Sequence, residues 1–171
     1  MKRLVAVSDS HGMTHSLMSA VKLAMQKSTI DIFVFLGDGA SDMAAVQPLL
    51  LQHNPRIQII CVCGNNDFSS DLPSAEEFLV CGRVFYATHG HHHRVKYSMT
   101  RLSYAAQERG AAVALYGHTH CSRLEEANGC WFINPGAVCR PATNGCAYAE
   151  ISIEENGFIH PQLISWTGTA L

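Results

Sequence analysis

Charge is scarce in this chain: Asp, Glu, Lys and Arg make up 15% of its 171 residues, against roughly 25% in a typical soluble protein. Neither sign is in excess, since 12 Lys and Arg face 14 Asp and Glu for a formal net charge of −2. A protein that tracks a polyanion needs a basic stripe, so polymeric nucleic acid is not an expected partner. Long apolar runs are missing too. The run after Met1-Lys2-Arg3 stops at Val7, before Ser8 and Asp9, which is too short for the core of a signal peptide. No other stretch is long enough to cross a bilayer, so the cytoplasm is the expected location and no membrane contact is expected. Seven Cys are present but no C-x-x-C. That removes the commonest structural-zinc and thioredoxin-type patterns and suits buried, reduced thiols. Neither a G-x-x-x-x-G-K-[ST] loop nor a G-x-S-x-G elbow occurs, so neither a phosphate cradle of the P-loop type nor a serine nucleophile is indicated. No repeat, low-complexity tract or linker divides the chain, and residues 1–171 are expected to form a single domain.

Apolar residues and histidine are what the chain has in quantity. Hydrophobic residues reach 47%, enough for a core without disulfide staples. The apolar pattern alternates strand and helix. Strands are expected at Leu4–Val7, Ile30–Leu36, Ile57–Val62 and Ala111–Tyr116. Helices are expected at Thr14–Lys27, at Met43–Leu51 with Ser41 or Asp42 as cap, and at Ser98–Glu108 ended by Gly110. Phe78–Thr88 reads as a hairpin turning at Cys81-Gly82. Arg123–Ala127 and Cys130–Ile133 form another about Asn128-Gly129, a dipeptide suited to a type I′ turn. Ala147–Ile153 and Phe158–Ile164 form a third. A parallel α/β first half is thus expected to pass into an antiparallel second half.

The chemistry gathers where the apolar runs stop. Leu4–Val7 ends at Ser8-Asp9-Ser10-His11, Ile32–Leu36 at Gly37-Asp38, and Ile59–Cys63 at Gly64-Asn65-Asn66-Asp67. Val84–Ala87 ends at Thr88-His89-Gly90-His91, and Val113–Tyr116 at Gly117-His118-Thr119-His120. That edge of an open α/β sheet is where ligands bind. Taken singly, an Asp after a strand is a turn former or cap, and a lone His is more often a surface or core residue than a ligand. Five coincidences at five strand ends argue otherwise. The set Asp9, His11, Asp38, Asn65, His89, His118 and His120 mixes imidazole, carboxylate and amide, which suits divalent Mn, Fe or Zn and not a structural zinc site. Seven groups are too many for one ion and suit two if a carboxylate bridges. His15, His53 and His160 are read as structural.

In that order, Asp9-x-His11, Gly37-Asp38, Gly64-Asn65-Asn66-Asp67, His89 and Gly117-His118-Thr119-His120 resemble the calcineurin-like metallophosphoesterase superfamily. Thr88-His89-Gly90-His91 and the turn Asn134-Pro135-Gly136-Ala137 are most similar to its small prokaryotic phosphodiesterase branch, and the resemblance runs from Asp9 to about Pro141. It implies a four-layer α-β-β-α sandwich of two mixed β-sheets flanked by helices. It also implies a dinuclear centre: Asp9, His11, Asp38 and His120 on one ion, a bridging Asp38, and Asn65, His89 and His118 on the other. The ions are expected to be Mn²⁺, with Zn²⁺, Fe²⁺ or Ni²⁺ as alternatives. Two such ions roughly 4 Å apart lower the pKa of a water between them and neutralise the phosphoryl oxygens as hydroxide attacks in line.

The expected reaction is therefore hydrolysis of a small phosphodiester, with Asp38, Asn65 and His91 as the catalytic residues. Many members of the superfamily carry His after the motif Asn, where it is thought to protonate the leaving group. Here Asn66 stands there and cannot supply a proton, so His91 is the expected acid or phosphate contact, with His92 and His93 behind it. Ala137 replaces the branch's Ser. Two other functions fit the same residues: a phosphomonoesterase with the same centre, and a non-catalytic protein-binding scaffold of this fold, like a retromer subunit with a degenerate site. All seven ligand positions are filled here, which ranks the enzyme first. A homo-oligomer is compatible with the sequence, though no stripe demands one.

Overall fold

Leu4–Val7, Ile32–Leu36 and Val113–Tyr116 are hydrophobic at every position, so a strand made from any of them has two faces to bury. The computed structural model, which describes residues 1–68, 71–138 and 146–166, shows how both are covered. Strands β1 (Lys2–Val7), β2 (Ile32–Phe35), β3 (Gln58–Cys61), β9 (Cys146–Ile153) and β10 (Ile159–Trp166) form one sheet in the order β10-β9-β1-β2-β3. Strands β4 (Ala75–Val80), β5 (Arg83–Thr88), β6 (Val113–Leu115), β7 (Arg123–Ala127) and β8 (Cys130–Asn134) form the other in the order β4-β5-β6-β8-β7. The strand period of two splits every run between two layers. Leu4, Ala6, Val34 and Ile60 meet Phe85, Ala87, Leu115 and Ile133 in the apolar layer between the sheets. Val5, Val7, Phe33 and Phe35 point the other way, onto helices α1 (Thr14–Lys27) and α2 (Met43–His53). Tyr86, Ala114 and Phe132 point onto α3 (Thr100–Glu108). The result is two mixed sheets flanked by helices, the four-layer sandwich expected.

Both sheets are mixed, which corrects the expected division into a parallel half and an antiparallel half. The early β4–β5 hairpin is antiparallel, whereas the late β6–β8 pair is parallel. The C-terminal hairpin returns to the start of the chain, pairing β9 antiparallel to β1 from Lys2↔Ile153 to Ala6↔Ala149. Only Ser152 of β9 escapes full burial, and a strand buried on both faces belongs inside a sheet rather than on an outer hairpin.

The helix over Thr14–Lys27 has the expected bounds, with Leu17, Val21 and Ala24 on its buried stripe. Asn128 and Gly129, at φ 54° and 74°, turn the β7–β8 hairpin as the type I′ geometry requires. Asp42, one of the two expected caps, takes the N-cap position of α2. Neither Ser41 nor Asp42 caps it through a side chain. The buried Asp42 carboxylate instead accepts bonds from Ser10 Oγ (2.6 Å), the Gly12 N–H (3.0 Å) and the Thr14 hydroxyl, tying the β1–α1 loop to α2. Cys61, Cys63, Cys81, Cys121, Cys130 and Cys146 are free thiols; Cys139, like the Pro141 end of the resemblance, lies outside the described residues. Among the described residues, no helix is long and apolar enough to cross a membrane.

Candidate metal centre

The loops that leave β1, β2, β5 and β6 meet at one edge of the sandwich and are latched to one another through the backbone. The Asp9 N–H donates to Gly37 O (3.0 Å), the His11 N–H to Asp38 O (2.8 Å), and the Gly117 N–H to His89 O (3.0 Å). Asp9, His11, Asp38, His118 and His120 all sit at left-handed φ, between 46° and 66°. Such geometry costs a non-glycine residue about 1–2 kcal/mol, and it collects where a site demands it. Two glycines let the loops approach this closely. A Cβ on Gly117 would stand 1.9 Å from Ser8 Oγ and 2.8 Å from Asp9 Oδ2; one on Gly64 would stand 2.1 Å from Asp38 Oδ1.

Two groups of donors result: Asp9 with His11 and His120, and Asp38 with His89 and His118, each with its ligand atoms within 4.8 Å of one another. The groups adjoin. His11 Nε2 lies 3.7 Å from Asp9 Oδ1 and 3.7 Å from Asp38 Oδ2, and His89 Nε2 lies 4.0 Å and 3.5 Å from the same atoms. Asp9 Oδ2 is taken by the Ser8 hydroxyl (2.5 Å) and the His118 N–H (3.1 Å). Asp9 Oδ1 is buried with no hydrogen-bond partner and faces His120 Nε2 at 3.2 Å. Nitrogen also faces nitrogen, His11 Nε2 to His120 Nε2 at 3.1 Å and His89 Nε2 to His118 Nδ1 at 3.2 Å. A carboxylate oxygen without a hydrogen-bond partner beside four converging imidazole nitrogens is a good donor set for divalent cations. The Leu36 carbonyl, 2.7 Å from His89 Nδ1, fixes that ring with Nε2 turned inward, as outer-shell carbonyls do for ligating His.

Electrostatics points the same way. Burial pushes the Asp9 carboxyl up, but the His11 and His120 rings, His89 and the Ser8 hydroxyl outweigh it and hold Asp9 far below the usual carboxylate range. Burial likewise opposes the ionisation of Asp38, and the His89 ring and Asn66 outweigh it, bringing Asp38 to about 2. His118 is pushed down to about 4, first by burial and then by Lys96 and His89. Two ionised carboxylates beside a neutral His118 leave lone pairs free to coordinate, whereas Asp9 raises His11 and, although burial opposes it, Asp38 and Asp9 raise His89, so a cation binding there would displace protons.

The remaining expected residues fall at different distances. Asn65 is exposed, and among the described residues no hydrogen bond joins it to either group. Its neighbour Asn66 is the one that touches Asp38, through its backbone N–H to Oδ1 (2.8 Å) and its Nδ2 to Oδ2 (2.7 Å). His91 stands beside the second group, its ring 5.4 Å from His89 and 6.1 Å from His118, with Nδ1 buried and unpartnered. His53 and His160 make structural contacts, with the Ile30 N–H and Glu154 respectively.

Two supporting residues escaped the sequence reading. Asp67 accepts four backbone N–H groups at 2.8 Å each, from Asp38, Gly39, Ala40 and Gly64, and so clamps the β2 loop to the β3 loop. Its place in Gly64-Asn65-Asn66-Asp67 was the available signal. Asn134, fully buried, donates to Gly117 O (2.8 Å) and Thr119 Oγ1 (3.0 Å), which steadies the segment carrying His118 and His120.

Comparison with known proteins agrees with this architecture. The family model described as the calcineurin-like phosphoesterase superfamily domain matches residues 1–156. The Bacillus subtilis (strain 168) protein named "Probable metallophosphoesterase YsnB" is 29% identical over 154 residues, covering 90% of this chain and 85% of its own. A predicted phosphoesterase from Streptococcus pneumoniae TIGR4 superposes with TM-score 0.77 at 25% identity, over 96% of this chain and 89% of that one. Two less similar structures share the fold. An archaeal phosphodiesterase has TM-score 0.72 at 20% identity, over 95% of this chain and 99% of its own. Vacuolar Protein Sorting 29 from Cryptosporidium parvum has TM-score 0.73 at 14% identity, over 96% and 98%. With the family model spanning nearly the whole chain, this protein belongs to the calcineurin-like phosphoesterase superfamily.

Proposed function

We propose that this phosphoesterase-family protein is a single-domain hydrolase of small phosphodiesters that works with two divalent metal ions. Asp9, His11 and His120 would hold one ion and Asp38, His89 and His118 the other, with the exposed Asn65 of the β3 loop as a further ligand for the second. The observation that carries this reading is the convergence of six donors at one edge of the sandwich, around a buried Asp9 Oδ1 that has no hydrogen-bond partner. Two bound divalent ions supply Lewis acidity toward phosphoryl oxygens and an activated water. Mn²⁺ suits the nitrogen and oxygen donors, and Zn²⁺, Fe²⁺ and Ni²⁺ are compatible with them.

The chain's own residues do the rest. Asp9 and Asp38 set the charge of the centre, and the Leu36 carbonyl and Asn66 keep His89 and Asp38 aimed. His91, beside the second group, is placed to hydrogen-bond a phosphoryl or leaving-group oxygen. The diester preference draws support from the fold shared with the archaeal phosphodiesterase, and free thiols suit a cytoplasmic location. A second reading, a protein-binding role without turnover, is favoured by the likeness to Vacuolar Protein Sorting 29.

The test is turnover of metal-stripped and Mn²⁺-restored protein on bis(p-nitrophenyl) phosphate beside p-nitrophenyl phosphate. Faster diester hydrolysis, absent without metal and abolished in Asp38→Asn, is the expected result. Two ions bound per chain with no turnover of either ester would overturn the enzyme reading in favour of the second one.

A further inference from the structure

Charge is spread unevenly along this chain. No acidic residue occurs between Glu77 and Glu108, while the same stretch carries Arg83, Arg94, Lys96 and Arg101 and four histidines. The cations at its middle are left without counter-ions. Lys2, Arg3, Lys27, Arg109 and Arg123 each pair with a carboxylate. Among the described residues, Arg94, Lys96 and Arg101 pair with none, as do the scattered Lys22, Arg56 and Arg83.

The loop that carries Arg94 and Lys96 starts at the candidate metal centre. It leaves β5 at His89, and the His91 ring packs against the His92 ring, with centroids 3.9 Å apart and planes tilted by 41°. It then folds on itself. The His93 N–H donates to Gly90 O (3.1 Å), the Arg94 N–H to His91 O (3.1 Å), and the Tyr97 N–H to Arg94 O (2.9 Å). Val95 is buried and anchors it in the apolar layer under α3. Arg94, Lys96 and Tyr97 therefore project from a braced turn, not a slack one, with Tyr97 89% exposed. A braced, unneutralised cationic rim beside a phosphoryl-handling centre is what a second anion needs, because like charges are tolerated where a ligand supplies the opposite sign.

We infer that the 91–98 loop is a second anion subsite and that the substrate is a small phosphodiester bearing a further phosphate, held by Arg94 and Lys96 with Arg101 behind them. The inference rests on the phosphodiesterase reading above. It points to a small molecule and not a nucleic-acid strand, since these cations lie in one short loop and the first turn of α3, in a chain with net charge −2.

Two measurements test it. Binding is measured by calorimetry on Mn²⁺-loaded protein with thymidine 3′,5′-bisphosphate beside thymidine 5′-monophosphate. Turnover is measured on the p-nitrophenyl ester of thymidine 5′-phosphate with and without a 3′-phosphate. The extra phosphate should tighten binding and raise kcat/KM by about tenfold, the size of one or two charge-assisted contacts at an exposed rim. In the Arg94→Ala/Lys96→Ala double variant both ratios should fall toward one. If neither ester turns over while the binding preference holds, the hydrolase reading fails and the subsite stands. Equal binding of the two nucleotides, or a preference that survives in the double variant, overturns the subsite. Oligothymidylate binding tighter than the bisphosphate, with a steeper salt dependence, overturns it in favour of a polynucleotide track.

Discussion

Asp67→Asn is the substitution that tests how the centre is built. Asp67 Oδ1 accepts the Gly39 and Ala40 N–H groups and Oδ2 accepts those of Asp38 and Gly64, all at 2.8 Å. An amide keeps one acceptor. With its oxygen toward Gly39 and Ala40, its NH₂ confronts the N–H groups of Asp38 and Gly64, donor against donor. Two hydrogen bonds to a charged acceptor are lost, worth roughly 1.5–3 kcal/mol each. Asp67 is only partly buried, so water recovers part of that, leaving a destabilisation of about 2–4 kcal/mol. The damage should exceed what stability alone registers. Asp38 is held at φ 59° by this clamp, and losing an outer-shell partner typically costs about 10–100-fold in metal affinity. Urea denaturation and Mn²⁺ titration of the same preparation separate the two effects. A lowered midpoint with weakened Mn²⁺ binding is expected. Unchanged Mn²⁺ affinity would refute the clamp argument even if stability fell.

Three further outcomes follow from other parts of the molecule. Arg3 and Glu150, with side chains 9% and 6% exposed, pair at 2.8 Å, and breaking such a pair by Glu150→Gln should cost about 3–5 kcal/mol. Although burial opposes it, Lys27 and Arg3 hold the Glu150 carboxyl below the ordinary Glu value. Its stabilisation is therefore complete above that value and lost as pH falls through the lowered one; denaturation midpoints across the acid range should drop less steeply in Glu150→Gln than in the parent. In Gly117→Ala the new Cβ would overlap Ser8 Oγ and crowd Asp9 Oδ2, so bound Mn²⁺ should fall, and adding Ser8→Ala should restore part of it by making room. Stripping the metal should lower Tm, because an ion held at one hundred times its Kd contributes about 2.7 kcal/mol; the same treatment should leave Tm of an Asp9→Asn/Asp38→Asn variant nearly unmoved.

How much of this was readable in advance depends on the range of the interaction. Leu17, Val21 and Ala24 announce α1 because helix periodicity lies within one turn, and Asn128-Gly129 announces its hairpin because two residues decide the turn. Asp9, Asp38, His89, His118 and His120 were legible for a related reason. Each follows an apolar run directly, and several buried strands of one fold present their C-terminal ends at a shared edge. Strand neighbours were not legible. The burial of β9 shows in its sequence, but its pairing with β1 joins Lys2 to Ile153, and nothing local in either strand names the other. The supporting bonds fail for the same reason: Asp42 reaches Ser10, Asp67 reaches Asp38, and Asn134 reaches Gly117, each across a chain separation that a window of a dozen residues does not contain.

Asn65 and Asn66 show a finer limit. Both occupy one turn, and it is Asn66 that meets Asp38, beside the Asp67 carboxylate that accepts the Gly64 N–H and closes the turn. The clamp thus reaches further than the backbone it holds. By fixing Gly64 and Asp38 together it presents Asn66 to the Asp38 carboxylate, so a carboxylate that grips four backbone N–H groups bears on the orientation of a carboxylate that borders both donor groups.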